Sequence, residues 1–348
     1  MDIKEIFVHN KKIVSDYLTR IITEKRKEWV LTNRWGSDSL DRLLEFMLAG
    51  KMVRGSIVLW IADEFSSGNT ESLPGAAAME LLQAALLIHD DIMDDDDTRR
   101  GLPSIHKQYE TLGSKYHYDD QQHFGTSMAI CLGDLALFLA FEELAKLQDV
   151  EVISLFSKSI SIVGLGQMQD VSWGFQSEIP DAGDILSMYD HKTSMYTFTL
   201  PFLLGASIAH IDKSLSRRFQ ELGSVLGQLY QLRDDQLGLY STHGTMGKSI
   251  GIDFVTGKKT PYYSLLLKRA DDKDLQYLDS LLSKRSLDSH DLSDIHGLLE
   301  KYEVSSAIED MMGKLEMQAK DHISGMKLSS SLENKLYSLL ELCMKRST

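Results

Sequence analysis

The stretch that decides the fold runs from Glu80 to His106 and reads ELLQAALLIHDDIMDDDDTRRGLPSIH. Its apolar residues recur at helical spacing and predict a buried helix that ends in an acidic run. Six carboxylates fall within eight residues of that run, at Asp90, Asp91, Asp94, Asp95, Asp96 and Asp97. Residues four apart share one face of a helix, so Asp90 and Asp94 are expected side by side at its end.

Two interpretations of the acidic run are open at this point. Unpaired carboxylates held this close repel each other unless a cation lies between them. Oxygen ligands suit Mg²⁺, which typically binds one or two carboxylates together with substrate phosphates. Acidic runs are also typical of solvated loops. An EF-hand is excluded, because the run lacks the Gly and Glu that such a loop requires.

A second helix with an acidic end is predicted from about Leu215 to Tyr240. Its apolar face leads to Asp234 and Asp235, and Gln231 lies one turn earlier. A glycine-rich loop follows and carries Lys248, Lys258 and Lys259. Thr260 is predicted to cap the next helix, with Pro261 at its first position.

Smaller polar clusters lie between the two acidic helices or before them. A helix is predicted after Gly36, capped by Ser37 or Asp38 and ending at Gly50. Lys51 and Arg54 follow at the start of another helix, whose free N–H groups would make an anion site. Cations at this spacing also commonly face water.

Two further polar pairs allow a structural and a functional interpretation. Gln167 and Asp170 lie three apart on an apolar helix, where a hydrogen-bonded core pair is the favoured interpretation. Lys192 and Thr193 could hold a phosphate through ammonium and hydroxyl groups, although such residues are also ordinary on a surface.

Composition limits the classes of protein that fit. The chain has 348 residues, 43% of them hydrophobic, and its five prolines mark no linker. We therefore expect one all-α domain over residues 1–348. The formal net charge of −14 argues against nucleic acid as a partner.

The sequence also predicts a compartment. Two cysteines, Cys131 and Cys343, exclude a disulfide framework and suit a reducing cytosol. The N-terminal residues contain no apolar segment typical of a signal peptide. The longest apolar tract, Thr197 to Ile211, contains Pro201 and is too short to span a bilayer. A cytoplasmic protein without an integral membrane segment is expected.

Taken in order, these motifs resemble those of the trans-isoprenyl diphosphate synthases. The segment from Asp90 to Asp94, followed by Arg99-Arg100-Gly101, is similar to the first aspartate-rich motif of that family, and Gln231 to Asp235 is similar to the second. The smaller motifs also match in order: Gly50-Lys51 with Arg54, Gly166-Gln167 with Asp170, Lys192-Thr193, Lys248, and Gly257 to Thr260.

The resemblance implies an isoprenoid synthase-type bundle of mostly antiparallel helices around a central cavity, usually in a homodimer. It implies a 1'-4 condensation of isopentenyl diphosphate with an allylic diphosphate, with about three Mg²⁺ ions at the site. The implied metal ligands are Asp90, Asp94 and Asp234, with Asp91 and Asp235 as outer or water-mediated ligands.

The resemblance also implies roles for the basic and polar residues. Arg99, Lys192 and Lys258 would bind the allylic diphosphate, while Lys51, Arg54, Arg100 and Gln83 would bind isopentenyl diphosphate. Gly50 and Lys248 would be further substrate-binding residues. Thr193 and Gln231 would line the surroundings of the allylic cation. The departing pyrophosphate would take the final proton.

The chain departs from the family pattern at two positions. Gln83 stands where the family often has a histidine, so this contact to isopentenyl diphosphate carries no charge. Gly238 replaces the last aspartate of the second motif, which removes one water-mediated metal contact. We interpret the second change as the mark of a subtype rather than of an inactive site.

The residues before Asp90 predict the product length. In the family, bulky aromatic residues at the positions of Ala85 and Leu86 stop growth at the farnesyl length, and Leu82 lies one turn further back. No aromatic residue stands there in this chain. Geranylgeranyl diphosphate or a longer product is therefore expected.

Two rival functions remain. A non-catalytic subunit that regulates a partner synthase would be expected to lose Asp or Lys from one motif, whereas this chain keeps both sets. A terpene cyclase of the same fold would need no second diphosphate pocket, so Lys51, Arg54 and Arg100 argue against it.

Overall fold

The computed structural model describes residues 2–66, 70–240, 257–282, 284 and 287–345. The described residues are helical apart from turns and one two-stranded hairpin, so the predicted all-α class is confirmed. The first helices are α1 Ile3–Trp29, α2 Trp35–Leu48, α3 Val53–Phe65, a 3₁₀ turn Thr70–Ser72, and α4 Leu73–Met93. The hairpin strands are β1 Thr98–Arg99 and β2 Leu102–Pro103.

The helices continue after the hairpin. They are α5 Ile105–Lys115, α6 Gln121–Ala145, α7 Val150–Phe175, α8 Ala182–Tyr189, a π-helical segment Asp190–Thr199, α9 Leu200–Ile208 and α10 Lys213–Tyr240. Beyond these lie α11 Pro261–Arg269, α12 Asp272–Leu282, α13 Ser289–Lys301, α14 Val304–Gly325 and α15 Ser330–Met344.

The chain divides into two compact units. The first comprises Met1–Phe156 and Pro201–Ile211, and the second comprises Ser157–Leu200 and Asp212–Thr348. The boundaries therefore fall inside α7 and after the first residue of α9. That residues 1–348 form a single domain stays a prediction.

In the first unit, α4 packs against α3, α5 and α6. Its small residues Ala76, Ala77 and Ala78 are fully buried, and so are Leu82 and Ile88. Small side chains let neighbouring helices approach closely, while burial of each large aliphatic side chain contributes about 1.5–3 kcal/mol. This packing holds the helix whose end carries the acidic run.

In the second unit, α10 packs against the π-helical segment, α14 and α15. Two glycines one turn apart on α10 make the closest contact with the π-helical segment. A Cβ at Gly227 would lie 2.2 Å from Ser194 Cα, and a Cβ at Gly223 would lie 2.7 Å from Thr199 Cα. Larger residues there would therefore push the segment away from α10.

One local prediction about the first unit needs correction, and one hairpin there was not predicted. Helix α2 begins at Trp35, before the predicted caps Ser37 and Asp38, because the Asn33 side chain accepts the Trp35 N–H at 2.8 Å. Helix α4 ends at Met93, and Gly101 lies in the turn of a hairpin that the sequence analysis did not predict.

Two helices are long and apolar enough to cross a membrane by length and composition, namely α6 and α7. About 39% of the apolar window of α6 and 28% of that of α7 are buried inside the molecule. The rest of each window is partly or fully exposed, and the absence of an integral membrane segment stays a prediction.

Candidate active site

The end of α4 presents the first pair of predicted metal ligands. The Asp94 N–H donates to the Asp90 carbonyl at 2.9 Å, so the helical spacing of the two residues is kept. Asp90 is half-buried and Asp94 is exposed. The carboxyl end of a helix is the negative end of its dipole, and the last turn of α4 contains no basic residue. Negative charge placed there favours a bound cation.

The hairpin after α4 brings Arg99 back onto the acidic run. Arg100 and Gly101 form its two-residue turn, both with positive φ, which is typical of the tight turns that join antiparallel strands. The Arg99 Nε donates to Asp91 Oδ1 at 2.6 Å, and its Nη2 donates to Asp96 Oδ2 at 3.0 Å. Arg99 therefore links two carboxylates of the acidic run, Asp91 and Asp96, through hydrogen bonds.

Asp91 differs from Asp90 and Asp94 in its surroundings. It is completely buried, and burial raises its pKa to about 6, although the Arg99 guanidinium acts in the opposite direction. Its Oδ2 atom has no hydrogen-bond partner among the described atoms. The position of Asp91 is that of a partner for Arg99, and its role as an outer metal ligand stays a prediction.

A second cluster in the first unit contains the predicted residues of the isopentenyl diphosphate pocket. The Arg54 Nη1 donates to Gln83 Oε1 at 2.6 Å, which leaves the Gln83 Nε2 to donate elsewhere. The Arg100 Nη1 donates to the Phe46 carbonyl at 2.9 Å. A Cβ at Gly50 would lie 2.7 Å from Arg100 Nη1, so glycine leaves room for this guanidinium.

One expectation about this cluster is wrong in detail. The first N–H groups of α3 were expected to be open to an anionic ligand, but the Gly55 N–H donates to Glu80 Oε1 at 2.7 Å. Glu80 is 5% exposed. An internal carboxylate therefore occupies the helix start, and Lys51 is exposed.

In the second unit, the π-helical segment carries Lys192 and Thr193. π-Helices are rare and occur mostly at functional sites. A Cβ at Gly166 of α7 would lie 2.8 Å from the Lys192 N atom. A larger residue at this position would therefore collide with the backbone of the π-helical segment. The Lys192 Nζ donates to Asp170 Oδ2 at 2.5 Å. Asp170 thus pairs with a lysine that is distant in sequence. The core pair of Asp170 with Gln167 stays a prediction.

A chain of hydrogen bonds links the π-helical segment to α10. The Thr193 Oγ1 donates to Gln231 Oε1 at 3.1 Å, and the Gln231 Nε2 donates to Asp235 Oδ1 at 3.0 Å. The Tyr189 hydroxyl donates to Asp235 Oδ2 at 2.6 Å. Asp235 is 3% exposed. It orients Gln231 in this structure, and its role as a metal ligand stays a prediction.

The remaining predicted residues of the second unit lie along α10 and before α11. Asp234 and Lys258 are half-buried. Thr260 caps α11 by accepting the Tyr263 N–H at 3.2 Å, with Pro261 in the first turn, as predicted. Lys248 lies outside the described residues.

The three positions predicted to set product length differ in exposure. Leu82 and Ala85 are buried, whereas Leu86 is half-buried. Leu86 lies four residues before Asp90, on the same face of α4. Leu86 is therefore the member of the three that shares the open face of the helix with the Asp90 carboxylate.

Two contributors were missed by the sequence analysis. Glu80 is a charged residue in an apolar helix, and that isolation was the signal that could have found it. Tyr189 gave no signal, because its partner Asp235 lies 46 residues further along the chain.

The carboxylate oxygens at the end of α4 are ligands of the kind that Mg²⁺ prefers. Among the described residues, no group of three or more His, Cys, Asp or Glu side chains could hold a metal ion alone. Asp90 and Asp94 supply carboxylate oxygens at a negative helix end, which suits a hard cation. Two carboxylates fit Mg²⁺ that takes further ligands from a substrate phosphate.

Comparisons with known proteins agree with this chemistry. The family model described as polyprenyl synthetase matches residues 37–299. A short chain isoprenyl diphosphate synthase of Methanocaldococcus jannaschii is 32% identical over 234 residues, 66% of each chain. A geranylgeranyl diphosphate synthase of Sulfolobus acidocaldarius is 28% identical over 309 residues, 86% of this chain and 88% of that protein.

Solved structures show the same fold. The geranylgeranyl pyrophosphate synthase of Corynebacterium glutamicum, in complex with isoprenyl diphosphate and magnesium, superposes with a TM-score of 0.87 at 25% identity. The match covers 100% of both chains. With the family model spanning most of the sequence and both acidic helices in place, the chain belongs to the polyprenyl synthetase family of prenyltransferases.

Proposed function

We propose that this chain catalyses the 1'-4 condensation of isopentenyl diphosphate with an allylic diphosphate, and that its product is geranylgeranyl diphosphate or a longer prenyl diphosphate. The observation that carries the proposal is the acidic end of α4, where the Arg99 Nη2 lies 3.8 Å from Asp90 Oδ2. In the second unit, Asp234 and Asp235 lie six and five residues before the end of α10. The cluster of Lys51, Arg54 and Arg100 supports a second diphosphate pocket, which a terpene cyclase would not need.

The proposed metal ligands are Asp90, Asp94 and Asp234, with Asp91 and Asp235 in supporting positions. Bound Mg²⁺ would neutralise the negative charge that develops on the leaving diphosphate. The binding of about three ions is part of the proposal and follows the family resemblance.

The chain's own residues are proposed to do the rest. Lys192 and Lys258, with Arg99 and Lys248, stabilise the charge on the allylic diphosphate as its bond breaks. Thr193 and Gln231 present oxygen atoms to the allylic cation, and their hydrogen bond fixes which atoms are presented. Departing pyrophosphate accepts the final proton.

The test is incubation of purified protein with Mg²⁺, isopentenyl diphosphate and farnesyl diphosphate, followed by chain-length analysis of the dephosphorylated products. Asp90→Ala is expected to abolish turnover. Asp97→Ala is the matched control, because Asp97 belongs to the same acidic run and its side chain is 80% exposed. Equal activity in the two variants would contradict the metal assignment, and no elongation by the native chain would favour a regulatory subunit.

Product length is proposed to depend on Leu86 more than on Ala85. Leu86→Phe places a larger side chain on the open face of α4 and is expected to shorten the product without loss of stability. Ala85→Phe is also expected to shorten it, but Ala85 is 2% exposed, and overpacking there costs about 1–3 kcal/mol. Unchanged products in both variants would show that growth is limited elsewhere.

We also propose that the enzyme is a cytoplasmic homodimer in which a second copy covers the exposed face of α6. Ile130 and Phe138 are 43% and 68% exposed and lie eight residues apart along one side of this helix. Burial of this face explains why a helix of membrane-spanning length needs no membrane. Light scattering should give the dimer mass for the native chain and the monomer mass for Phe138→Glu, whereas a dimeric variant would refute this interface.

A further inference from the structure

The hydroxyl group of Tyr189 is a buried donor to which none of the sequence motifs assigns a role. Tyr189 is the last residue of α8 and is 3% exposed. Its hydroxyl donates to Asp235 Oδ2 of α10 at 2.6 Å. Phenylalanine would fill the same space with its ring, so the hydroxyl contributes a hydrogen bond to a carboxylate rather than packing.

The hydrogen bond from Tyr189 belongs to a bridge of four side chains between two helical stretches. On α10, Gln231 and Asp235 lie four residues apart and share one face. The Gln231 Nε2 donates to the other oxygen of Asp235, Oδ1, at 3.0 Å. The Thr193 Oγ1 donates to Gln231 Oε1 at 3.1 Å. Thr193 follows Tyr189 by four residues, so the bridge begins and ends on the continuous stretch from α8 to the π-helical segment.

The carboxylate of Asp235 sets the direction of the hydrogen bonds in this bridge. An ionised carboxylate accepts hydrogen bonds and donates none. Gln231 therefore turns its NH₂ group toward Asp235, which leaves its carbonyl oxygen to Thr193. The hydroxyl of Thr193 has a single hydrogen, and Gln231 accepts it. The lone pairs of Thr193 Oγ1 are consequently left to face a positively charged group.

The hydroxyl of Tyr189 stabilises this arrangement. Asp235 is 3% exposed, and a buried carboxylate is costly unless donors replace the lost water. Tyr189 supplies a donor to one oxygen of Asp235, and Gln231 supplies a donor to the other. Without the hydroxyl, the carboxylate loses one of the bonds that fix the rotation of its plane. Both orientations of the Gln231 amide then become accessible.

We propose that Tyr189 is a positioning residue for the allylic cation, because with Asp235 it holds the amide of Gln231 in the one orientation that directs the lone pairs of Thr193 Oγ1 to that cation. In the reverse orientation, the NH₂ group of Gln231 would face Thr193, whose hydroxyl hydrogen would then point toward the positive charge and oppose it. This inference rests on the proposed function, which assigns Thr193 and Gln231 to the surroundings of the cation. Tyr189 acts through Asp235 and Gln231 and not on the substrate.

The steady-state test compares Tyr189→Phe with Tyr17→Phe. Tyr17 is a matched control, because its buried hydroxyl also donates to a buried carboxylate, Glu143 Oε2 at 2.8 Å, but in the first unit. Both changes remove one oxygen atom and keep the ring, so both variants should fold and should lose similar stability. In Tyr189→Phe, kcat should fall about tenfold, while the KM values for farnesyl diphosphate and isopentenyl diphosphate should change less than about twofold. Tyr17→Phe should leave kcat unchanged.

A merely structural role of Tyr189 would give a different kinetic pattern. Equal values of kcat in Tyr189→Phe and Tyr17→Phe would overturn the proposal, since the two variants lose the same kind of hydrogen bond. A loss in Tyr189→Phe that raises both KM values and leaves kcat at the native value would overturn it as well, because such a loss concerns binding of the substrates.

A double-mutant cycle tests the route by which Tyr189 acts. If Tyr189 acts through the hydroxyl of Thr193, it can have little effect once that hydroxyl is removed. In the Thr193→Val background, Tyr189→Phe should therefore lower kcat by less than about threefold. A further loss of about tenfold in that background would show that Tyr189 acts by another route and would overturn the proposal.

A spectroscopic measurement separates this inference from the proposed function. In protein that carries isotopically labelled glutamine, the side-chain NH₂ signal of Gln231 is identified by its absence from the NMR spectrum of Gln231→Leu. That signal should shift in Tyr189→Phe and keep its position in Tyr17→Phe. A signal at the native position in Tyr189→Phe would overturn the proposal. Failure of the native chain to elongate farnesyl diphosphate would refute the proposed function and leave this measurement valid.

Discussion

Replacement of Gly227 by alanine is expected to displace the π-helical segment from α10. The new methyl group would lie 2.2 Å from Ser194 Cα and 2.3 Å from its Cβ and Oγ. Carbon atoms pack at about 3.5–4.0 Å, so the backbone at Ser194 must move by roughly 1.5 Å. Ser194 directly follows Lys192 and Thr193, which would move with it.

The size of the effect follows from two opposing contributions. Alanine is favoured over glycine inside a helix by about 1 kcal/mol. Overpacking costs about 1–3 kcal/mol, and a contact with backbone belongs at the upper end of that range. Gly227→Ala should therefore lower the free energy of unfolding by about 2 kcal/mol.

Gly164→Ala is the matched control. Gly164 lies in α7, and a Cβ there would meet nothing within 4 Å, so the variant should gain about 1 kcal/mol. The two variants should differ by about 3 kcal/mol in urea unfolding followed by circular dichroism, with kcat reduced in Gly227→Ala alone. Equal stabilities, or an unchanged kcat in a destabilised Gly227→Ala, would refute the reasoning.

Four further predictions follow from the same contacts. Gly50→Ala should raise the KM for isopentenyl diphosphate and leave the melting temperature unchanged, because its Cβ would displace the mobile end of Arg100; a lower melting temperature would contradict this. Thr193→Val should lower kcat about tenfold by loss of the bond to Gln231, and Thr193→Ser should restore it. EDTA should abolish turnover without shifting the melting temperature, since the described protein groups form no metal site alone. Burial raises the pKa of Glu80, so the folded chain holds the carboxyl proton of Glu80 more tightly than the unfolded chain does. The free energy of unfolding should therefore fall as the pH rises above the ordinary pKa of 4.5. Glu80→Gln should reduce this dependence of the unfolding free energy on pH.

The sequence predicted those parts of the fold that depend on local pattern. Apolar spacing located α4 and α10, and the chemistry of Thr260 and Pro261 located the start of α11. Periodicity did not predict the π-helical segment, whose backbone Gly223 and Gly227 of α10 approach closely. Such an approach depends on tertiary packing.

The candidate site also contains features that depend on local sequence and features that depend on tertiary packing. The helical spacing of Asp90 and Asp94 at the end of α4 could be predicted because both residues and the helix end are adjacent in sequence. The partners of Asp91 and Asp235 could not, because each depends on a residue brought back by the fold. A hairpin returns Arg99 to Asp91, and Tyr189 reaches Asp235 from another helix.

The two faces of α4 explain why some of its carboxylates are buried and others are not. Glu80 and Asp91 lie eleven residues apart, close to three full turns, so both fall on one face. That face is buried, and on it Asp91 accepts a hydrogen bond from Arg99 while Glu80 accepts the Gly55 N–H. Gln83, Leu86 and Asp90 recur at three- and four-residue spacing on the neighbouring face, where all are half-buried.

The carboxylates on the two faces of α4 therefore have different roles. On the buried face, Asp91 without Arg99 would be an uncompensated charge, so this position fixes the guanidinium group of the hairpin that follows. On the open face, carboxylates at the negative end of the helix remain costly until a cation arrives. Under the proposed function, metal and diphosphate that bind together would relieve the repulsion between these carboxylates.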